Sequence, residues 1–137
     1  MSAPVSIQDA LIFVMVAVSA ADRRMTDREM KQIGDIVRTL PIFADYREEA
    51  LIDTARRAGE ILSSSSGLEI LLETIKAALP ERLYDTAYAL GAETAAADLH
   101  LEQEELRLLQ MVRDTLDLDK LTVAAIERSV LARYRRV

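Results

Sequence analysis

The sequence contains no cysteine and no tryptophan, one histidine, three prolines, four glycines and only 4% aromatic residues. Without cysteine there can be no disulfide, no thiolate metal site and no cysteine nucleophile, which fits a reducing compartment. A single histidine, His100, excludes a di-iron bundle built from paired Glu-x-x-His motifs and any zinc site with several histidines. His100 reads as an exposed turn residue, with a place as one ligand beside Asp98 as the alternative. A Gly-rich phosphate loop is absent too. Positive charge is also scarce: the net charge is −6 and the pI about 4.8, whereas nucleic-acid binding needs a basic field that releases counterions. The basic end RYRRV, with Arg133, Arg135 and Arg136, reads as a solvated helix terminus suited to the dipole.

Long hydrophobic runs are missing as well. The longest, from Ala10 to Ala21 and broken only by Ser19, falls short of the roughly 20 residues that span a bilayer. Only Asp9 is charged before it and no Lys or Arg precedes it, so it lacks the basic flank of a signal peptide. It is expected to be a helix apolar on nearly every side, buried at the centre of a bundle.

What is present is helix-forming. Half the residues are hydrophobic, mostly Leu, Ala, Ile and Val, and 29% are charged; a chain of 137 residues so composed builds one core without staples. Capping signals predict seven helices in an all-α, single-domain bundle over residues 1–137, with no period-2 strand pattern. Ser6 with Asp9 opens the first helix, to about Ala21. Thr26 with Glu29 forms a capping box for the second, which ends at Leu40 before Pro41. Asp45 with Glu48 opens the third, SSSSG at 63–67 is a turn, and the fourth carries Leu68, Leu71, Leu72, Ile75 and Leu79. Pro80 is expected as the first residue of the fifth, which runs to Ala97. The sixth spans about Glu102 to Leu116, and Thr122 caps the last. Gly34, Gly59 and Gly91 fall inside helices at about 1 kcal/mol each, which close helix crossings would explain. Tyr84 and Tyr88 share one face and are expected in the core with their hydroxyls at the rim.

One pattern occurs twice. AADRRMTDRE at 20–29 and AADLHLEQEE at 96–105 each join an alanine-rich helix end, an aspartate, a short gap and an acidic helix start, and Asp22 and Asp98 lie 76 positions apart. Leu106, Leu109, Val112 and Leu116 fall at the same offset from Met30, Ile33, Ile36 and Leu40, so the chain reads as an internal duplication, with repeat one at about 7–40 and repeat two at about 81–116. Each Glu follows its Asp by seven residues, and a helical hairpin can fold the pair together. Asp22, Glu29, Asp98 and Glu105 would then offer oxygen ligands to a hard cation such as Ca²⁺, Mg²⁺ or Mn²⁺, with Asp27, Glu102 and Glu104 nearby. The alternative is that these acids cap helices and accept turn amides, which Asp commonly does. The spacing is not an EF-hand, because the positions that need oxygen ligands and glycine hold Arg24, Thr26, Asp27 and Ile33. Arg23 and Arg24 add positive charge beside the first aspartate.

AADRRMTDREMKQI and AAADLHLEQEELRLL resemble the two acidic helix-hairpin motifs of the TerB tellurite-resistance family, seen also in the co-chaperone DjlA, and the resemblance runs from about Leu11 to Leu118. It implies a seven-helix domain whose hairpins are related by a pseudo-twofold. It also implies association with bacterial tellurite and chemical-stress systems near the inner face of the membrane, and the shortage of candidate catalytic residues points to a non-enzymatic, cytoplasmic protein. The partners so implied are the membrane protein TerC and calcium-binding TerD-type proteins. Metal binding is implied at Asp22, Glu29, Asp98 and Glu105. The family often has Gly directly after the aspartate; Arg23 and Leu99 stand there in this chain. A metal-free helical scaffold acting through protein contact is the other reading of the same residues.

Overall fold

A computed structural model describes residues 4–21, 25–97 and 103–137. Among them are seven α-helices: α1 (Ile7–Ser19), α2 (Asp27–Thr39), α3 (Leu51–Leu62), α4 (Gly67–Ala78), α5 (Tyr84–Ala97), α6 (Gln103–Thr115) and α7 (Lys120–Arg133). Short 3₁₀ turns at Pro41–Phe43, Glu48–Ala50 and Glu81–Leu83 precede or join them. No strand occurs among the described residues, so the chain is an all-α bundle.

The apolar run forms the axis of this bundle. Every residue from Ala10 to Val18 is at most 3% exposed, because α1 packs against α2, α3, α4, α5 and α6. A helix wetted on one side would need a polar stripe there; α1 has none, and the remaining helices enclose it. Its start is set as expected, the Ser6 hydroxyl accepting the Asp9 amide at 3.0 Å. No described helix is long and apolar enough to cross a membrane.

Three predicted helix starts shift. Asp45 does not cap α3; it accepts a 2.7 Å hydrogen bond from Gln8 Nε2, which also donates to the Ile42 carbonyl at 3.0 Å. Glu48 pairs with Arg38. These tertiary contacts occupy both carboxylates, and α3 begins at Leu51 after a 3₁₀ turn. Pro80 is extended (φ −71°, ψ 151°) and precedes a 3₁₀ turn, with α5 starting at Tyr84. The cap of α7 is Asp119, whose carboxylate accepts the Thr122 amide and hydroxyl, each at 2.8 Å. Thr122 is thus the donor in that cap. Its two hydrogen bonds hold the Asp119 carboxyl below the ordinary value.

The helical glycines divide. A Cβ on Gly91 would lie 3.1 Å from Val14 Cγ1 and 3.3 Å from Leu109 Cδ2, so the expected close crossing exists there, between α5, α1 and α6. At Gly34 the nearest atom is the flexible end of Arg38, at 3.3 Å, and at Gly59 nothing lies within 4 Å. Close crossing therefore does not explain Gly59. The core face expected from the 76-residue offset is matched only in part: Leu109, Val112 and Leu116 are buried, but Leu106 is 46% exposed. Its place in the α6 core face is taken by Leu108, at 3%.

Tyr88 is 1% exposed, and its hydroxyl donates to Glu127 Oε2 of α7 at 2.6 Å. Burial, and then the neighbouring carboxylate, push the phenol above its ordinary value near 10. A raised phenol pKa means that the folded state favours the neutral form, so this contribution is complete below pH ~10 and is lost as pH rises beyond it. Tyr88→Phe is expected to cost about 1–3 kcal/mol at pH 7 through the lost hydrogen bond. It should also flatten the fall in stability above pH ~10 relative to the parent, which urea melts across pH 8–11 would measure.

Candidate functional site

The two acidic corners are built on the α1–α2 and α5–α6 connections. At the first, α1 closes at Ala20, whose amide reaches the Val16 carbonyl at 2.9 Å. The chain re-enters helix at Thr26. The capping box expected there is complete: Thr26 Oγ1 accepts the Glu29 amide at 3.1 Å and Glu29 Oε1 accepts the Thr26 amide at 2.8 Å. One oxygen of Glu29 is thereby committed to the backbone. At the second corner, α5 runs to Ala97 and α6 starts at Gln103, placing Glu105 in the first turn of a helix, where the macrodipole favours an anion. Glu105 is 2% exposed, the one charged residue among the described buried set. Buried carboxylates are uncommon, because desolvation penalises the charge.

The equivalent glutamates of the two motifs therefore behave differently. Glu29 is a half-exposed cap, and Glu105 is enclosed by the bundle. Asp22 and Asp98, the other two members of the predicted quartet, lie outside the described residues, as do His100 and Glu102. Asp27 and Glu104 are exposed on the first turns of their helices. Among the described residues, no group of three or more His, Asp or Glu side chains comes together to hold a metal ion.

Described residues flanking the two connections nevertheless share one cleft. Ala20, Ala21 and Met25, from the first, line the same cleft as Glu104 and Leu108, from α6. The crossing at Gly91, where α1 and α6 side chains meet over α5, lies along the same helices. Sequence reasoning missed one residue here. Ser19, the last of α1, is 3% exposed, and its Oγ is the one buried side-chain oxygen among the described residues that lacks a hydrogen-bond partner. A lone serine interrupting the apolar run was its only signal.

The cleft has a volume of about 1070 Å³ and opens to solvent between α1, α3, α4 and α6. Ala17 of α1 and Ala20 just past its end, Ala55 and Gly59 of α3, and Leu108 and Met111 of α6 form its apolar surface. Arg56 and Glu60 edge the α3 side, Glu104 and Arg107 the α6 side, and Glu69 the start of α4.

Among known proteins, the family profile described as "Tellurite resistance protein TerB" matches residues 8–128 of the 137. No curated protein and no solved structure matches the chain.

Proposed function

The chain belongs to the TerB tellurite-resistance family, and we propose that it is a non-enzymatic stress-response protein that binds a divalent cation at its paired acidic corners and docks on partner proteins. The observation that carries the cation half is Glu105. A carboxylate held at 2% exposure in the first turn of α6 is presented in one place, and a prepositioned oxygen is what a metal site requires of its ligands. Ser19 Oγ and the second oxygen of Glu29 belong to the same chemical class, hard oxygen donors suited to Ca²⁺, Mg²⁺ or Mn²⁺. Asp22 and Asp98 would complete the set. A bound cation would draw these carboxylates together, neutralise them and steady the two hairpins against each other.

A metal-free scaffold is the second reading, and the Thr26–Glu29 capping box favours it, since that box already accounts for one motif glutamate. The two readings differ in linkage. A ligand that binds only the folded state raises stability by RT ln(1 + [L]/Kd), about 2.7 kcal/mol at a hundredfold excess over Kd. Thermal melts with Ca²⁺, Mg²⁺ or Mn²⁺ are expected to show that gain in the parent and to lose it in Glu105→Gln and Asp98→Asn. Melting temperatures indifferent to all three ions would leave the scaffold reading in place.

A further inference from the structure

Gly59 is the starting point. It sits inside α3, exposed, with φ in the ordinary negative range and no atom within 4 Å of where a Cβ would be. A helix-interior glycine costs about 1 kcal/mol relative to alanine, and neither a turn nor a helix crossing accounts for it here. What lies over it is the open cleft. Where a local choice opposes the fold without compensation, a functional or strained site is expected, and no strain is present at Gly59.

We propose that this cleft receives an amphipathic α-helix of a partner protein, laid across Gly59 between α3 and α6. The size agrees: a helix is roughly 10–12 Å across and rises about 1.5 Å per residue, so about two turns occupy a space near 1070 Å³. The surface agrees as well. Ala17, Ala20, Ala55 and Gly59 keep the groove shallow-walled, so that a backbone can approach closely, and Met25 and Met111 offer adaptable side chains of the kind that accept helical ligands. Charge selects the occupant. Both long edges carry one cation and one anion, Arg56 and Glu60 on α3 and Glu104 and Arg107 on α6, and Glu69 adds a further carboxylate; Arg56 also pairs with Asp53 at 3.0 Å. A fatty acyl anion would meet three carboxylates against two guanidinium groups, and an anionic membrane would meet a protein of net charge −6. A peptide helix bearing both signs beside an apolar stripe complements such edges.

This inference rests on the docking half of the proposed function and is independent of the cation half, which is read at Glu105. The test uses a phage-displayed library of 18-residue peptides with apolar residues at helical spacing and variable Lys, Arg and Glu elsewhere, selected on the full chain. A Cβ at Gly59 meets nothing within 4 Å, so Gly59→Leu is expected to extend into the groove and to melt no lower than the parent. Peptides retained by the parent are expected to bind Gly59→Leu at least tenfold more weakly and to perturb the amide resonances of Ala17, Ala55 and Met111. The double variant Arg56→Glu, Arg107→Glu should shift the selected peptides toward Lys and Arg. Failure to recover any helix-patterned peptide that distinguishes parent from Gly59→Leu would overturn the proposal. So would Gly59-dependent binding of dodecanoate without peptide binding, which would mark an acyl-chain pocket instead.

Discussion

Replacing Phe13 by alanine is expected to destabilise the protein by about 3–5 kcal/mol, a fall in Tm of roughly 10–20 °C for a chain of this size. Phe13 is fully enclosed at the middle of α1. Neighbouring helices cover α1 on all sides, so there is no solvent-facing flank from which the structure could relax into the vacated space. The Arg57 guanidinium carbon also lies 6.0 Å from the ring centroid and would lose that contact. Thermal melts of Phe13→Ala beside Ile52→Ala would check the argument. Ile52 is equally apolar but 62% exposed, and its replacement should shift stability by no more than about 0.5 kcal/mol. Comparable losses in both variants would mean that α1 is not the enclosed axis of the fold.

Gly67→Ala should cost about 2–4 kcal/mol, although Gly67 is not in the left-handed region and alanine is the better helix former. The reason is steric. A Cβ there would lie 2.2 Å from the Ile61 carbonyl oxygen and 2.7 Å from that of Leu62, and these are backbone atoms that cannot swing aside. The α3–α4 turn would have to open, and with it the packing of α4 on α1. Gly59→Ala, eight positions earlier, should instead gain about 0.5–1 kcal/mol, because its Cβ enters free space. Urea denaturation of the two variants gives opposite signs for one chemical change. Equal signs would show that the two glycines are not in the environments described.

The acidic motif was legible as a pattern, but the distinct tasks of its members were not. Glu29 and Glu105 lie at matching positions of two similar stretches, yet one caps a helix and the other is buried. Burial depends on which helices lie across the first turn, and α6 is packed by α1 and α5 where α2 has less cover. The same cause misplaces Leu106. Its offset matches Met30, but α6 is rotated so that Leu108 and Leu109 face inward. Gly59 was readable as an unexplained glycine; the empty space above it needed the positions of α1 and α6.

By itself the sequence determined what neighbours along the chain can enforce: seven helices, the Ser6 and Thr26 caps, the serine-rich turn, and a first helix too apolar to lie anywhere but the middle. These follow from backbone hydrogen bonding and hydrophobic periodicity within a few residues. Tertiary structure alone decided that Asp45 answers Gln8 instead of capping α3, that Glu105 is enclosed, and that a cleft remains beside both acidic corners. Each of those outcomes depends on contacts between residues far apart in sequence, where the competing partner of a side chain is set by the packing of whole helices.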